Sequence, residues 1–459
     1  MSAGISQATK KSESPERSSV GICSLIENKE QQCREQSTED WDELARLYRE
    51  LLDVYLGCIH RAHQRQRFEQ CAELLTRMRL NGIQSFLDQL LHQNRSEDML
   101  HYINFARERM SSIEQPAPAL TAIWYECLGH LGWYRMQVGG PTVAESLVWR
   151  EYSRYLFHHA ADISPERGEA QHYLGRLERQ DGLRQLFHYT KSLVCVFSSE
   201  PARNTIRQFF KAYRRPSMIN NFICSHGFLF SNDGKDEFTA FKNEFLDSLG
   251  EGMRFLDEGG QQLVYIACCN LASMFDYGNP KTAMSLANST KSDPAHGSFL
   301  KLSHYAMLGS ELAFDTLSIL LQKSADAATW PGIHTYLVFI RYLSGHPLIL
   351  EQVEALIPWG AIVRFLNNLV KEVKKAEHDA SRPPDKGATQ PLPEDFLIRG
   401  HWWSQGYYPP GFFDGAPPEA DRDNMEDSST FHWRRMRLVS LGVCLHTMDN
   451  ARTGRPLCS

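Results

Sequence analysis

The sequence predicts an all-α protein, and three observations lead there. Apolar residues recur every three or four positions through most of the chain, the period of a helix with one buried face. Alternating polar and β-branched runs bounded by hairpin turns are absent. The stretch 124–201 reads as helix, turn, helix, repeated. Ser153, Phe157, Ala160 and Pro165 have gaps of four, three and five residues, and Tyr189, Leu193, Val196 and Pro201 repeat those gaps 36 residues later. Leu174–Gly175 follows Pro165 by nine residues, and Leu128–Gly129 is the same pair 46 residues earlier. Small or aromatic residues where helices cross, and Pro where the second helix stops, are the marks of tetratricopeptide-type hairpins. An ordinary antiparallel helix pair in an all-α domain is the alternative reading of the same spacing.

The elements follow in order. Residues 1–37 are rich in Ser, Glu and Lys with almost no aromatics, and the composition predicts disorder. Trp41, Leu44, Leu47, Tyr48, Leu51, Leu52, Tyr55 and Leu56 trace a first amphipathic helix. Residues 73–92 give a second and a third, and Asp98 is placed to cap a fourth that Pro116 and Pro118 close. Past 201 the pattern predicts helices over 202–213, 237–256, 261–275, 299–322, 332–343 and 348–374. The 261–275 helix is apolar nearly all round and is expected to be buried. Residues 219–230 are apolar around His226, which reads as a hydrogen-bonded packing residue. Four prolines in 381–393 mark a linker, 405–430 form no regular element, and 433–446 is a closing helix, basic at Arg434, Arg435 and Arg437 and apolar thereafter.

Composition narrows the function classes. A chain of 459 residues holds two or three domains, and 42% hydrophobic with 23% charged residues is ordinary globular usage. No apolar run reaches the roughly 18 residues of a bilayer span, and the start has no apolar core of a secretory signal. No membrane partner is expected. The net charge of −6 leaves room for a local basic patch, not a basic coat. Eleven cysteines form no C-x-x-C and suit a reduced compartment. Cys268 and Cys269 cannot both face one ligand on a helix, so a metal role there is not expected.

No nucleophile–base signature, no GxxxxGK[ST] and no H-E-x-x-H occur, so no catalytic residue, cofactor or metal is expected. The acidic residues are expected on helix surfaces. A chain of helical hairpins without a catalytic constellation reads as a binding platform. One feature points to an anionic partner. Arg203, Arg207 and Lys211 stand at i, i+4 and i+8 and share one helix face, followed by Arg214 and Arg215. They are candidates for contact with the phosphates of RNA, DNA or a phosphoprotein, against the alternative of a solvated helix face.

Eight blocks, in one order over about 320 residues, resemble a known family. They are CLGHLGWYRMQ (127–137), YLFHHAADISPERG (155–168), QLFHYTKSLVCVF (185–197), SHGFLF (225–230), LVYIACCNLASM (263–274), PWGAIVRFLNNLV (358–370), LPEDFLIRG (392–400) and RRMRLVSLG (434–442). The family is Est/SMG: the telomerase-associated "ever shorter telomeres" subunit and the SMG adaptors of nonsense-mediated mRNA decay, with fungal members most similar in wording. The resemblance implies a 14-3-3-like, tetratricopeptide-like helical domain over 38–213 and an α-helical hairpin domain over 214–378. A linker and irregular segment over 379–430 and a closing helix over 431–450 complete the division.

The function implied is adaptor work in the nucleus and cytoplasm. Partners are proteins of the mRNA decay or telomerase machinery, with RNA or single-stranded DNA as further partners. The main expectation is an RNA-surveillance adaptor; the alternative is a telomerase-associated factor, or a diverged paralogue without phosphoserine binding. A catalytic decay factor is the competing class, because some relatives carry a C-terminal nuclease domain. Only 14 residues follow Leu445, which leaves no room for one in this chain.

The family helix reads roughly L-G-D-x-x-R-Y-R, and its first Arg binds phosphate in the phosphopeptide-binding members. In this sequence the Asp position is His130 and that Arg position is Trp133, while Tyr134 and Arg135 are kept. Trp cannot form a bidentate charged pair with phosphate, and Arg135 lies about 200° round the helix from Trp133. His130, Trp133, Tyr134 and Arg135 are therefore candidates for a degraded phosphopeptide groove, with Arg61, Arg65 and Arg67 as candidate partners. Phosphoserine binding is expected to be weakened or lost.

Overall fold

Helices form where the three-to-four periodicity places them, because only that conformation turns such a pattern into one continuous apolar face. The computed structural model describes residues 15–36, 39–111, 117–138, 143–212, 217–251, 260–279, 301–372, 390–416 and 428–453. It is an all-α helical array. The described residues contain no strand, only isolated bridges between Arg167 and Phe197 and between Cys195 and His401. The chain divides into two units, Met1–Ile163 and Ser164–Ser459.

The first unit runs α1 (Pro15–Glu35), α2 (Trp41–Gln64), α3 (Phe68–Arg77), a π-helical turn (Met78–Gln84), α4 (Ser85–His92), α5 (Ser96–Ser111), α6 (Thr121–Gln137) and α7 (Val143–Ile163). Asp40 caps α2 by accepting from the Glu43 amide at 3.0 Å. The α6–α7 pair approaches closely at two glycines. A Cβ at Gly129 would stand 2.9 Å from the Phe157 ring, and one at Gly132 would stand 2.5 Å from Ser153 Oγ. Neither position has room for a larger residue without moving its neighbour.

The second unit runs α8 (Gly168–Leu177), α9 (Gly182–Val194), α10 (Glu200–Phe210), α11 (Met218–Ser231), α12 (Lys235–Glu251) and α13 (Gln261–Met274). It continues with α14 (His304–Gln322), α15 (Trp330–Ser344), α16 (Pro347–Val353), α17 (Trp359–Glu372), α18 (Pro393–Ile398) and α19 (Ser428–Thr453). The α8–α9 hairpin repeats the glycine device: a Cβ at Gly175 would lie 2.6 Å from the Tyr189 ring. Helix α13 is the expected buried one, with residues 263–274 all inside. Its one buried carboxamide, Asn270, is satisfied on every side. His226 Nε2 lies 3.1 Å from Asn270 Oδ1, and Asn270 Nδ2 donates to Thr316 Oγ1 (3.1 Å) and Tyr336 OH (2.9 Å). His226 Nδ1 is 2.7 Å from Tyr277 OH, and burial lowers the imidazole's pKa to about 3, so the ring is a neutral packing group. Cys268 and Cys269 are both buried, and burial pushes the Cys268 thiol up to about 12.

Several expectations need correction. Pro15–Glu35 is helical although the composition of 1–37 predicts disorder, because α1 docks Ile26, Glu30 and Cys33 inward. In the repeat, Tyr189 plays the part of Phe157, not of Ser153: each ring fills the gap beside a Leu-Gly glycine. Matching gaps thus gave a register four residues off. Pro165 lies just past α7, but Pro201 sits in the first turn of α10, where a missing amide costs nothing. Asp98 lies inside the first turn of α5 and pairs with Arg95 at 2.5 Å. The helix expected over 348–374 breaks into α16, a short 3-10 turn and α17, with Pro358 at the break. The linker expected over 381–393 lies largely outside the described residues; its last proline, Pro393, opens α18.

The largest departure concerns charge. Glu394 and Asp395 are wholly buried on α18, and Arg434 and Arg437 of α19 are buried with them, so neither the acidic pair nor the basic helix start is a surface. Arg434 donates to Glu394 twice, Nε to Oε1 at 2.7 Å and Nη2 to Oε2 at 2.8 Å. Arg437 Nη1 donates to Asp395 Oδ2 at 2.9 Å and Oδ1 at 3.2 Å. His334 Nδ1, from α15, lies 3.0 Å from Glu394 Oε1, and Tyr408 OH donates to Asp395 Oδ1 at 2.9 Å. Burial alone would raise the Glu394 carboxyl, but Arg434 and His334 outweigh it and hold the pKa well below the ordinary value of 4.5. A depressed carboxylate pKa contributes stability above its unfolded value, and that stability drains as pH falls. The urea midpoint should therefore decline as pH drops from about 4.5 downward. Arg434→Met, which strands the buried carboxylate, should lower stability near pH 7 by about 3–5 kcal/mol and flatten that acid limb. Urea titrations of both chains across pH 3–7 check this.

Candidate functional site

Two stretches carry the site residues that the sequence suggests, one in each unit. In the first unit, α6 is apolar nearly all round, so its polar residues are drawn inside with the rest. His130 is wholly buried. Arg79 Nη1 donates to His130 Nε2 at 3.4 Å; since a guanidinium cannot accept, the ring nitrogen is the acceptor. Trp133 is buried and meets the Tyr134 ring edge-on at 4.9 Å. Tyr134 is buried too, and its hydroxyl donates to Asp88 Oδ1 at 2.5 Å. Arg135 alone approaches the surface, and its Nη2 donates to Glu145 Oε1 at 2.6 Å. The position that would hold a phosphate-binding Arg is thus packed with an indole, and the Tyr that would assist it is committed to a carboxylate. Of the further candidates, Arg61 and Arg65 are exposed at the end of α2, and Arg67 lies in the turn before α3.

A feature of this region was not foreseen. The Arg107 guanidinium of α5 lies 4.8 Å from the centre of the Trp149 ring and 5.8 Å from that of Tyr152, and Arg135 lies 5.6 Å from the same indole. Two cations share one ring, a stabilising arrangement that needs no second carboxylate. Arg107 and Trp149 lie on different helices far apart in sequence, so spacing alone could not pair them. The aromatic content of α7 was the only hint.

In the second unit, α10 carries the cationic run, and the structure splits it. Arg203 turns inward: Nη2 donates to the Tyr277 carbonyl at 2.6 Å, and the guanidinium lies 5.5 Å from the Phe230 ring centre. Burial lowers its pKa, against the pull of Asp276. Arg207 and Lys211 are exposed, with Arg207 Nη1 donating to Asn204 Oδ1 at 2.9 Å. Arg214 and Arg215 lie outside the described residues. The carbonyl that Arg203 holds belongs to an unusual turn in which Asp276, Tyr277 and Gly278 all have φ between 48° and 74°. Two non-glycine residues in the left-handed region are strained, and Arg203 is one of the contacts that keep them there.

Among the described residues no group of three or more His, Cys, Asp or Glu side chains could hold a shared metal ion. None of their helices is long and apolar enough to cross a membrane.

Comparison with known proteins adds a fold likeness. No family profile matches the chain, and no curated protein matches its sequence. A solved structure described as "Crystal structure of Est1 and Cdc13" is similar in fold, with a TM-score of 0.60 at 9% identity, over 92% of this chain and 95% of that one.

Two measurements separate these side chains by role. Arg203→Ala should destabilise the protein by about 1–3 kcal/mol in urea titration, whereas the Arg207→Glu/Lys211→Glu double variant should stay within about 0.5 kcal/mol of the parent. A serine peptide and its phosphorylated twin should bind with similar affinity in titration calorimetry, because the position that the resemblance assigns to a phosphate-binding Arg is Trp133, which is buried and uncharged.

Proposed function

We propose that this chain is a non-catalytic scaffold of the telomerase machinery that binds protein partners. The observation that carries the reading is the likeness over 92% of this chain to a structure described as Est1 with Cdc13. The eight sequence blocks support it, since they resemble a family whose telomere branch bears that name. A helical platform with no assembled metal-ligand group among its described residues suits binding without chemistry.

The RNA-surveillance reading draws on the same blocks but loses its physical basis at α6. That branch needs a charged phosphate clamp, and a buried indole stands in its place. Telomere work does not need the clamp. RNA or single-stranded DNA contact rests on the exposed pair Arg207 and Lys211, which supply charge but no base-reading chemistry. The same reading places the chain in the nucleus, with passage through the cytoplasm.

The test is affinity purification from cells followed by mass spectrometry, with and without ribonuclease. Recovery of telomerase subunits is expected, and recovery of the surveillance helicase in their place would overturn the reading. Loss of those subunits on ribonuclease treatment would show that RNA bridges the contact. In that event Arg207→Glu/Lys211→Glu should weaken RNA binding and cut the salt slope by about two.

A further inference from the structure

A second buried polar cluster of the first unit lies under α1. Glu30 is almost fully buried. Its Oε1 accepts from the Tyr55 hydroxyl and from Asn81 Nδ2 (2.8 Å), and its Oε2 accepts from Arg77 Nη2 (3.0 Å). These donors come from three elements: α2, the last residue of α3, and the π-helical turn that follows it. A guanidinium, a phenol and a carboxamide converging on one carboxylate form a built anion receptor. Burial alone would raise the Glu30 pKa, yet the three donors together lower it.

The receptor residues also meet elements other than α1. The Tyr55 ring lies 3.6 Å from where a Cβ on Gly82 of the π-helical turn would stand. Tyr102 of α5 donates to the Gly82 carbonyl at 2.6 Å, which ties the π-helical turn to the rest of the unit. Helix α1, by contrast, meets the unit through a narrow stripe along its described side chains. Among its described side chains only Ile26, Glu30 and Cys33 are buried, one stripe at spacings of four and three, and Leu25 is 45% exposed. Lys29 adds a partly exposed ion pair with Glu50 at 2.7 Å.

We propose that the Tyr55–Arg77–Asn81 cluster is a recognition site for a glutamate presented on a partner protein's amphipathic helix, and that α1 is its built-in occupant, displaced when such a helix binds. The fitting partner has an apolar residue four positions before the glutamate and a small apolar residue three after it, as α1 does. The proposal extends the scaffold reading to a surface and stands whichever assembly the scaffold serves.

The experiment uses the full chain and a fluorescein-labelled peptide of its own residues 15–36, followed by fluorescence anisotropy. The unaltered chain should bind it poorly, because the site is filled from within. Glu30→Ala should bind it at least tenfold more tightly, and adding Arg77→Ala should remove that gain. A peptide carrying Glu30→Gln should bind the Glu30→Ala chain at least tenfold more weakly than the native peptide. Binding undiminished by Arg77→Ala, or no binding by a Glu30→Ala chain that circular dichroism shows folded, overturns the proposal. So does displacement of the peptide by a single-stranded oligonucleotide, which would make the site a phosphate-backbone contact. A second variant guards against misfolding. Tyr55→Phe keeps the ring and removes one donor, and should speed hydrogen exchange of the α1 amides at least tenfold while leaving α5 and α6 unchanged. Loss of protection across the whole first unit would show that α1 belongs to the core, and the proposal would fall.

Discussion

Two adjacent carboxylates in a dry interior organise the C-terminal half of the second unit. Glu394 and Asp395 are buried from solvent, so each needs its own cation, and Arg434 and Arg437 supply it from one face of α19. The spacing explains the geometry. Neighbours on the first turn of α18 point apart, and positions three apart on α19 point together with a modest offset. His334 and the tyrosines at 407 and 408 complete the shell, tying α15 and the irregular segment 401–416 to the same pair. A pair of this kind is a weak source of net stability, because desolvation offsets much of the attraction. Its value is selectivity. An apolar α19 could slide along the unit, whereas the bidentate Arg434–Glu394 contact and the Arg437 Nη1 shared by both Asp395 oxygens admit one position.

That arrangement shows what a sequence displays and what it hides. Element type was legible, because helical periodicity is a local property and these helices are amphipathic or buried throughout. Burial of α13 followed from its composition, and so did the packing role of His226. Contacts between distant positions were not legible. The segments LPEDFLIRG and RRMRLVSLG could be recognised as blocks, but nothing in either says that the charges of one neutralise those of the other. The repeat register failed for a related reason. Gap-matching aligned Ser153 with Tyr189, while the packing constraint is a ring against a glycine, which aligns Phe157 with Tyr189. The N-terminal helix was missed because composition averages over a segment. The inward residues Ile26, Glu30 and Cys33 do not lift the average of the segment, yet they face the unit and dock α1.

The candidate sites were legible as residue types but not as surfaces. Spacing put Arg203, Arg207 and Lys211 on one face, and a helix face has breadth: one edge meets the core and the other meets water. Arg203 fell on the inner edge because the turn at Asp276–Gly278 needed a donor for its carbonyl. On α6 the sequence has Trp133 where the resemblance expects Arg, and the structure buries that indole. The structure adds where the anion chemistry is found in this unit: at Arg77, Tyr55 and Asn81, around a carboxylate of the chain itself.

Counting cations in the sequence therefore overstates the charge available to a nucleic acid. The chain has 49 lysines and arginines against 55 carboxylates. Arg79, Arg434 and Arg437 are buried, Arg203 is turned inward, and Arg77 is engaged by Glu30. Each such residue is lost to the phosphate-contacting surface, because a cation that already neutralises an internal group releases no counterion on binding. An internal pair removes a carboxylate as well as a cation, so pairing alone leaves the net charge of the surface near its formal value. What changes is distribution. The inward turn of Arg203 thins the described positive face of α10 to Arg207 and Lys211, two charges one helical turn apart. A patch of that size steers and orients a polyanion but cannot hold it alone at physiological salt, where stable non-specific binding takes several phosphate contacts. Under the scaffold function proposed above, firm attachment to a nucleoprotein comes from protein contacts. Those are the contacts that an array of amphipathic helices is suited to make.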